Sequence, residues 1–279
     1  MREIDAELVS RAVAGLCVEA NYDIAPDIAA AFKRARDTEE GELARCVMDD
    51  LLENAAIAAE GALPLCQDTG MAVVFVETGQ DVRVTGPLTD AINEGVRRGY
   101  EDGFLRKSVV SDPVRRANTK DNTPAIIHYD VVPGDSLVIT VAPKGFGSEN
   151  MSALSMLKPS DGIEGVKAFV VETVRKAGPN PCPPIVAGVG VGGTMDYACL
   201  LAKKALLRSM GSPNADAFWD EAERDLLNRI NALGIGPAGL GGRTTALAVF
   251  IEPYPTHIAG LPVAVNIGCH STRHGTVRL

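Results

Sequence analysis

Three cysteines lie in segments rich in loop-forming residues, and their types and positions suit them to chemistry. Cys66 begins a short polar run that includes Asp68 and Thr69. Cys182 lies within a run of prolines, and Cys269 follows a β-branched stretch. Thiolates on loops are candidate metal ligands or nucleophiles, and loops held between regular elements often carry function. Asp68 could exchange a proton with a substrate, or it could satisfy backbone groups at a helix end together with Thr69.

The spacing of these three cysteines does not by itself identify a metal site. No Cys-x-x-Cys pair of the zinc-binding kind occurs, and the close spacing of ferredoxin cysteines is missing as well. Three thiolates are nevertheless enough to hold a four-iron cluster in which one iron stays open. An open iron acts as a Lewis acid on a substrate hydroxyl or carboxylate.

The other three cysteines, Cys17, Cys46 and Cys199, lie among Ala, Leu and Val in helix-patterned segments. A cysteine in that setting behaves as a small buried hydrophobic residue, so we expect all three to be buried and inert. A disulfide framework is not expected, because the chain is neither small nor evidently secreted.

Composition and charge narrow the class of protein. Hydrophobic residues make up 46% and charged residues 23% of the 279 residues, an ordinary globular balance, and the net charge is -9. An acidic chain without a basic block is not expected to bind nucleic acid, and no apolar run reaches membrane-spanning length. The N-terminus lacks the charged-then-apolar order of a signal peptide. These features predict a soluble cytoplasmic protein with neither a nucleic-acid nor a membrane partner.

The segments that must position the candidate residues have clear helix and strand patterns. Apolar periodicity predicts helices over residues 5–19, 26–36, 39–60, 87–100, 161–176, 194–208 and 215–233. Strands are predicted over residues 72–77, 81–84, 125–132, 136–142, 246–251 and 263–267, with another just before Gly188. Residues 133–135 (Pro-Gly-Asp) predict a turn that joins residues 125–132 and 136–142 into a β-hairpin.

Three other segments are irregular and polar or glycine-rich. Residues 103–123 concentrate positive charge, which favours anion binding but also suits a solvated surface. Residues 144–150 and 234–245 are glycine-rich and predict backbone cradles or tight turns.

A fourth glycine-rich segment, residues 188–193, fits the Gly-x-Gly-x-x-Gly pattern of dinucleotide-binding turns. The required context fails, because the following helix leads into another helix rather than into a strand with a terminal acidic residue.

These patterns predict a mixed α/β fold in which a helical N-terminal region, about residues 1–62, packs on a mixed-sheet core. The cysteine-bearing loops are expected at strand ends. No internal repeat and no linker between domains is visible, so a single domain over residues 1–279 is predicted.

Five motifs occur in an order that carries a family resemblance: residues 66–70 (CQDTG), 144–150 (KGFGSEN), 180–184 (NPCPP) with 188–194, 239–245, and 261–267 with 269–270. Together they resemble the α-subunit, or N-terminal half, of the class I iron–sulfur-dependent fumarate hydratases and L-tartrate dehydratases. The resemblance extends from about residue 42 to residue 273.

The resemblance implies a [4Fe-4S] cluster with one open iron and assigns roles to eight residues. Its three ligands would be Cys66, Cys182 and Cys269. Catalytic roles are implied for Asp68 and His257, and substrate-binding roles for Gln67, Arg106 and Gly147. Each role fits the residue type, since arginine grips a carboxylate through a planar fork and glycine lets a backbone amide approach a ligand.

Structural roles remain open for three of these residues. Asp68 could act as a cap, Arg106 could belong to a surface ion pair, and His257 could orient a loop by hydrogen bonding.

The resemblance also implies a partner. Single-chain members of the family have a second domain that supplies further basic residues and the base that acts at carbon, whereas this sequence ends soon after Cys269. A separate β-subunit is therefore expected, in an α2β2 heterotetramer. The substrate is a small dicarboxylate, with fumarate hydration to L-malate as the first choice and dehydration of L(+)-tartrate as the alternative.

Two alternative functions, from other classes of protein, compete with the hydro-lyase function. A dinucleotide-dependent oxidoreductase would use residues 188–193 and would bind nicotinamide nucleotides saturably without iron. A non-catalytic iron–sulfur carrier would hold a fully ligated cluster with no labile iron.

Overall fold

The computed structural model describes residues 1–61 and 63–279, so residue 62, the end of the predicted helical region, lies outside the described residues. The helices are α1 (Ala6–Tyr22), α2 (Pro26–Thr38), α3 (Glu42–Gly61), α4 (Leu88–Asp102), α5 (Phe146–Glu149), α6 (Gly162–Ala177), α7 (Met195–Ala205) and α8 (Ala217–Asn231). The strands are β1 (Arg2–Asp5), β2 (Met71–Gly79), β3 (Val82–Thr85), β4 (Ile126–Val132), β5 (Leu137–Lys144), β6 (Ala153–Leu157), β7 (Ile185–Gly193), β8 (Ala246–Thr256), β9 (Leu261–Gly268) and β10 (Gly275–Arg278).

The predicted mixed α/β class and all seven predicted helices are confirmed, with shifts of a few residues at their ends. The start of α1 shows how local chemistry fixes such an end. Asp5 is the N-cap, and its carboxylate accepts a hydrogen bond from the Glu7 N–H (2.9 Å), which satisfies an otherwise unpaired amide of the first turn. The short elements β1, α5, β6 and β10 have no counterpart among the predictions, because four or five residues carry little periodicity; β3 is equally short but was predicted, over residues 81–84.

The chain forms two compact units. Unit 1 comprises Met1–Ile24, Ala55–Phe146 and Arg273–Leu279, and unit 2 comprises Ala25–Asn54 and Gly147–Thr272. The single domain over residues 1–279 stays a prediction. Among the described residues, no helix combines the length and the apolar character needed to cross a membrane.

The four-stranded sheet of unit 1 has the order β10-β5-β2-β4, which corrects the predicted hairpin. Strands β4 and β5 follow one another in sequence, but each pairs with β2 instead, β4 in parallel and β5 antiparallel. Residues at the end of β2 occupy the place of a hairpin partner: the Gly79 N–H donates to the Ser136 carbonyl and the Gln80 N–H to the Val132 carbonyl, both at 2.9 Å.

Burial explains why β2 takes the central position. Residues 72–76 of this strand are all buried, whereas β4 is half-exposed or exposed along its whole length. A strand that is apolar on both faces gains most from neighbours on both sides, and a polar strand is better suited to the edge of the sheet. The sequence pattern therefore predicted the strands β4 and β5 correctly, but it carried no information on which strand each of them pairs with.

Unit 2 contains a sheet of the same design, with the order β6-β9-β7-β8. Its central strand β7 pairs in parallel with β8 and antiparallel with β9, as β2 does with β4 and β5 in unit 1. Eight of the nine residues of β7 are buried. The edge strand β8 runs to Thr256, beyond its predicted end, and tolerates two prolines because an edge strand has unpaired backbone positions.

The Gly-x-Gly-x-x-Gly pattern has a packing explanation in unit 2. Gly188 and Gly190 lie within β7 rather than in a turn, directly beneath helix α7. A Cβ at Gly188 would come within 2.1 Å of the Ala202 carbonyl oxygen, and a Cβ at Gly190 within 2.0 Å of the Ala198 carbonyl oxygen. These glycines let a helix backbone approach a strand closely, so a nucleotide is not needed to account for them.

We expect Gly190→Ala to lower the free energy of unfolding by about 3 kcal/mol or more, because overpacking at this contact cannot be relieved by moving a side chain. Thermal unfolding measures the effect. Gly15→Ala, within α1, is the matched control, since its Cβ would meet only Glu19 Oε1 at 3.9 Å. A change at Gly190 no larger than at Gly15 would contradict the packing explanation.

Glu39 is a buried carboxylate that holds the glycine-rich segment 234–245 in unit 2. It is 1% exposed and lies before α3 rather than within the helix, where it was predicted. Its Oε2 accepts from the Arg243 N–H (2.9 Å) and its Oε1 from the Thr244 N–H (2.6 Å). The segment therefore has a fixed backbone although five of its twelve residues are glycine.

Replacing Glu39 by alanine is expected to reduce the free energy of unfolding by about 2–5 kcal/mol, because one buried and one partly buried amide would lose charge-assisted partners. Chemical denaturation measures the difference. The neighbouring Glu40→Ala provides the control: its pair with Arg243 is exposed on both sides, so its removal should cost at most about 1 kcal/mol. Equal losses in the free energy of unfolding for Glu39→Ala and Glu40→Ala would show that the buried Glu39 carboxylate does not stabilise the glycine-rich segment.

Candidate active site

The Cys66 loop, residues 64–70, leads directly into β2, the central strand of unit 1. Its start is anchored by Leu65, which is buried against Ala55 and Ala58 and donates its N–H to the Asn21 carbonyl (2.8 Å). Gly70 closes the loop with a φ of +73°, and a Cβ there would meet the Lys144 backbone at 2.7 Å. The loop is thus fixed at both ends by contacts that its sequence alone does not reveal.

The Asp68 carboxylate is held by two backbone amides of unit 1. Its Oδ1 accepts from the Gly70 N–H (3.0 Å), and its Oδ2 accepts from the Phe146 N–H (2.9 Å). Gly145 makes room for this contact, since a Cβ there would lie 3.1 Å from Oδ2. The open alternative of a structural role for Asp68 therefore has support, but each carboxylate oxygen keeps a second lone pair for another donor.

Three buried donors hold the three consecutive carbonyls at the end of the loop. A guanidinium N–H of Arg273 donates to the Asp68 carbonyl. The Tyr100 hydroxyl donates to the carbonyls of Thr69 (2.7 Å) and Gly70 (3.1 Å), and the Asn122 amide adds a bond to Gly70 (3.2 Å). Burial raises the pKa of the Tyr100 hydroxyl, which keeps it protonated as a donor.

Gln67 and Arg106 present exposed side chains beside these fixed backbone groups. The Thr69 hydroxyl donates to the Arg106 carbonyl (3.1 Å), which ties the basic segment 103–123 to the Cys66 loop. Among the ion pairs of the described residues, none includes Arg106. The alternative of a surface ion-pair role for Arg106 has no support, and its guanidinium is available to an anionic ligand.

The two other predicted ligands, Cys182 and Cys269, lie on adjoining loops of unit 2. Cys182 precedes β7 and has a φ of +54°, whereas Cys269 follows β9. These strand ends are neighbours, because Val186 pairs with Gly268. The His270 N–H donates to the Cys182 carbonyl (3.2 Å), so the residue next to one thiol binds the backbone of the other.

The two units present their candidate residues at equivalent places. In unit 2 these are the loop before the central strand (Cys182) and the loop after its antiparallel neighbour (Cys269). In unit 1 the equivalent places are the Cys66 loop before β2 and the start of the glycine-rich segment 144–150 after β5, where Met71 pairs with Lys144. The predicted position of the three cysteines at strand ends is confirmed by these placements.

Gly147 and His257 occupy different parts of unit 2. Gly147 is exposed, and its backbone lies near Asn180, since a Cβ would be 3.7 Å from the Asn180 carbonyl oxygen. His257 is exposed in the turn between β8 and β9, where its Nδ1 accepts from the Ala259 N–H (3.2 Å). That turn lies at the opposite end of the β7–β8 pair from Cys182, roughly 26 Å away at about 3.3 Å per residue along β7 from Ile185 to Gly193.

The contacts of Gly147 and His257 bear differently on the roles that the family resemblance assigns. Packing does not require a glycine at position 147, which leaves room for a backbone contact with a ligand. The bond from Ala259 fits the alternative of a loop-orienting role for His257. Their functions in substrate binding and catalysis stay predictions.

The prediction that Cys17, Cys46 and Cys199 are buried is correct for one of them and wrong for two. Cys17 is buried, and burial raises the pKa of its thiol to about 12, which confirms it as inert. Cys46 and Cys199 are exposed, so the prediction that they are buried was wrong. Cys46 lies two residues after the buried Ala44, and Cys199 lies directly after the buried Ala198. Small apolar neighbours alone do not reveal which face of a helix a cysteine occupies.

The donor set suits an iron–sulfur group, although no group of three or more His, Cys, Asp or Glu side chains arranged to hold a metal ion occurs in the described part of the chain. Cys66 and Cys269 are half-buried and Cys182 is exposed, and all six cysteines are outside disulfides. Thiolates favour soft metals and iron–sulfur clusters. The connection between the Cys182 and Cys269 loops supports two of the three ligands.

Sequence reasoning missed Tyr100, Asn122 and Arg273, the donors behind the Cys66 loop. Tyr100 belongs to the buried face of α4, and Asn122 is fully buried with a φ of +60° inside the polar segment 103–123. Neither residue has a spacing or a neighbour that marks it. Arg273 lies four residues after Cys269, and that proximity was the one signal available.

These features define a mixed α/β protein in which loops that carry cysteines lie at equivalent strand ends of two sheets. Residues 10–278 match the family model described as Fumarate hydratase (Fumerase). The chain is 45% identical over 278 residues to the "Putative L(+)-tartrate dehydratase subunit alpha" of Methanocaldococcus jannaschii, covering 97% of each chain. It is 32% identical over 256 residues to the "L(+)-tartrate dehydratase subunit alpha" of Escherichia coli strain UTI89, covering 91% of this chain and 84% of the relative.

The chain therefore belongs to the fumarate hydratase (Fumerase) family of hydro-lyases, as its ordered motifs predicted.

Proposed function

We propose that this chain is the α-subunit of a two-subunit, iron–sulfur-dependent hydro-lyase that dehydrates L(+)-tartrate to oxaloacetate. The observation that carries the proposal is the similarity over nearly the whole chain to relatives named as tartrate dehydratase α-subunits. Fumarate, the first choice from the motifs alone, has only the name of the family in its favour. Tartrate is therefore the better-supported substrate.

The proposed cofactor is a [4Fe-4S] cluster held by Cys66, Cys182 and Cys269. When bound, it supplies an open iron that polarises a carbon–oxygen bond as a Lewis acid. The described geometry supports this ligand set through the fixed Cys66 loop and the hydrogen-bonded pair of loops that carry Cys182 and Cys269.

Asp68 is proposed to exchange the proton of the substrate hydroxyl. Its two backbone bonds fix the orientation of the carboxylate, and the remaining lone pairs can accept a hydroxyl proton at hydrogen-bond distance. Proximity of a fixed acid–base group removes the entropy cost of bringing it to the substrate.

Substrate binding is proposed for Gln67, Arg106 and Gly147. The exposed Arg106 guanidinium would grip a substrate carboxylate through two parallel hydrogen bonds. Gln67 offers an exposed amide on the Cys66 loop, and Gly147 offers a backbone group without a side chain in the way. A second catalytic role is proposed for His257 on the family resemblance alone, because its turn lies at the far end of the unit 2 strands from Cys182.

A β-subunit is proposed to complete the active site with the base at carbon and further carboxylate-binding residues, in an α2β2 assembly in the cytoplasm. The relatives are named as α-subunits, which supports a separate partner. We expect the isolated chain to turn over neither tartrate nor fumarate at a substantial rate.

The test is to purify this chain anaerobically, alone and with its β-subunit, and to measure kcat/KM for L(+)-tartrate and for L-malate in the dehydration direction. Malate lacks one of the two hydroxyls, and a site built to bind a hydroxyl rejects the analogue without it by about 10²-fold or more. A preference of that size for tartrate is expected from the complex.

Three results would contradict the proposal. Higher kcat/KM with malate than with tartrate would return fumarate hydratase as the function, and full turnover by the isolated chain would exclude the divided active site. An iron–sulfur carrier would give no turnover with either substrate while holding an intact, air-stable cluster.

A further inference from the structure

Arg273 is a buried arginine of unit 1 with an incomplete set of partners. It is 6% exposed, and one terminal N–H group donates to the Asp68 carbonyl. Its Nε and its other terminal nitrogen, Nη1, are buried and have no hydrogen-bond partner among the described residues. A guanidinium carries five N–H donors in a rigid fork, so most of its donor capacity is unused.

This arrangement is costly unless a negative charge compensates it. A buried charge without a partner is strongly disfavoured, and buried charges in proteins are normally paired. Arg208 of unit 2 shows the usual solution, because its guanidinium contacts the buried Glu223 carboxylate (2.6 Å). For Arg273, the hydrogen-bonded partner is a neutral backbone carbonyl.

Holding the loop does not require this charge. Tyr100 and Asn122 fix the next two carbonyls with neutral donors from the same buried region. A neutral donor at position 273 would satisfy the Asp68 carbonyl equally well and would avoid the desolvation cost of a guanidinium. The positive charge therefore calls for a role beyond the hydrogen bond.

We propose that Arg273 is a positioning residue whose charge, fixed behind the Cys66 loop, stabilises the negative charge of an iron–sulfur cluster bound on that loop. The inference rests on the proposed function, which supplies the cluster. A cluster with three thiolate ligands is anionic, and its reduction adds a further electron. The reduction potential of such clusters depends on nearby charge and hydrogen bonds.

The test measures the midpoint potential of the cluster in the complex with the β-subunit, together with its iron content, for Arg273→Gln and Arg273→Lys. Glutamine keeps a donor for the Asp68 carbonyl but removes the charge, whereas lysine keeps the charge. Arg278→Gln is the matched control, since Arg278 lies in the same segment of unit 1 but is exposed, bound to Ser136 Oγ (3.0 Å).

We expect Arg273→Gln to shift the midpoint potential to more negative values, while Arg273→Lys and Arg278→Gln stay at the value of the unmodified protein. An unchanged potential in Arg273→Gln would overturn the inference, as would a change in KM without a change in potential. If Arg273→Gln takes up no iron, the result with Arg273→Lys decides the question. A midpoint potential in Arg273→Lys equal to that of the unmodified protein supports the role of the charge. Loss of iron from Arg273→Lys contradicts that role.

These outcomes are separable from failure of the proposed function. An unmodified protein that takes up no iron would contradict the hydro-lyase proposal itself. Iron uptake with identical potentials in all variants would leave that proposal intact and reject only the role of Arg273.

Discussion

Replacing Cys66 by serine is expected to abolish iron–sulfur binding and to reduce turnover by the complex with the β-subunit at least about 10³-fold. Serine is a hard, poorly ionised ligand where a soft thiolate is needed. Loss of Lewis-acid catalysis, worth several kcal/mol, corresponds to a rate loss of this order. Iron and sulfide content after anaerobic reconstitution, followed by a tartrate assay, measures both effects.

Cys46→Ser and Cys199→Ser are the matched controls, because both thiols are exposed and lie outside the candidate site. They should retain iron and activity. Iron content in Cys66→Ser equal to that of these controls would exclude Cys66 as a ligand and would remove the basis for placing the active site at its loop.

The second large effect is expected for Asp68→Asn, which should retain iron but lower kcat by about 10²–10⁴-fold, the usual contribution of a positioned acid–base group. An amide cannot exchange the hydroxyl proton as a carboxylate does. Iron content and kcat with tartrate, measured on the same preparation, separate catalysis from cluster binding.

The contacts of Asp68 add a stability effect to this prediction. Both carboxylate oxygens accept from backbone amides, and asparagine would turn an NH₂ group toward one of these donors. A loss of about 1–3 kcal/mol in the free energy of unfolding is therefore expected. Thr69→Val is the control, because it removes the buried hydroxyl bond to the Arg106 carbonyl and disturbs the same loop without touching the carboxylate.

Comparison of the two variants decides the role of Asp68. Thr69→Val should lose comparable stability and retain most of its activity. Loss of iron in Asp68→Asn to the same extent as in Cys66→Ser would show that the carboxylate is structural and that the proton carrier lies elsewhere.

The sequence predicted those features that depend on local pattern. Helices such as α1 and α6 follow from apolar periodicity and end residues, and the loop positions of Cys66, Cys182 and Cys269 follow from their glycine, proline and polar neighbours. The order of the five motifs identified the family, because these short segments, spread over most of the chain, resemble the family only when they are taken together.

The features that were missed depend on contacts between distant segments. Strands β4 and β5 look like a hairpin locally, but the buried strand β2 lies between them. Glu39 reads as part of a helix, yet its carboxylate binds amides more than two hundred residues away. Arg273 and Tyr100 reach the Cys66 loop in the same manner, and no local pattern records such partners.

Differential labelling of the cysteines tests the central claim most directly. The chain is treated with a thiol-alkylating reagent before and after anaerobic loading with iron and sulfide, and each cysteine is quantified by mass spectrometry. Cys17 should resist labelling in both states, because burial raises the pKa of its thiol to about 12. Cys46 and Cys199 should label in both states, because both are exposed.

Protection on loading is expected for Cys66, Cys182 and Cys269 together, and for no other cysteine. That pattern would establish one iron–sulfur group held by the three predicted ligands. If Cys66 remains fully reactive in the loaded protein while Cys182 and Cys269 are protected, the proposed cluster site and the active site built on the Cys66 loop are both contradicted.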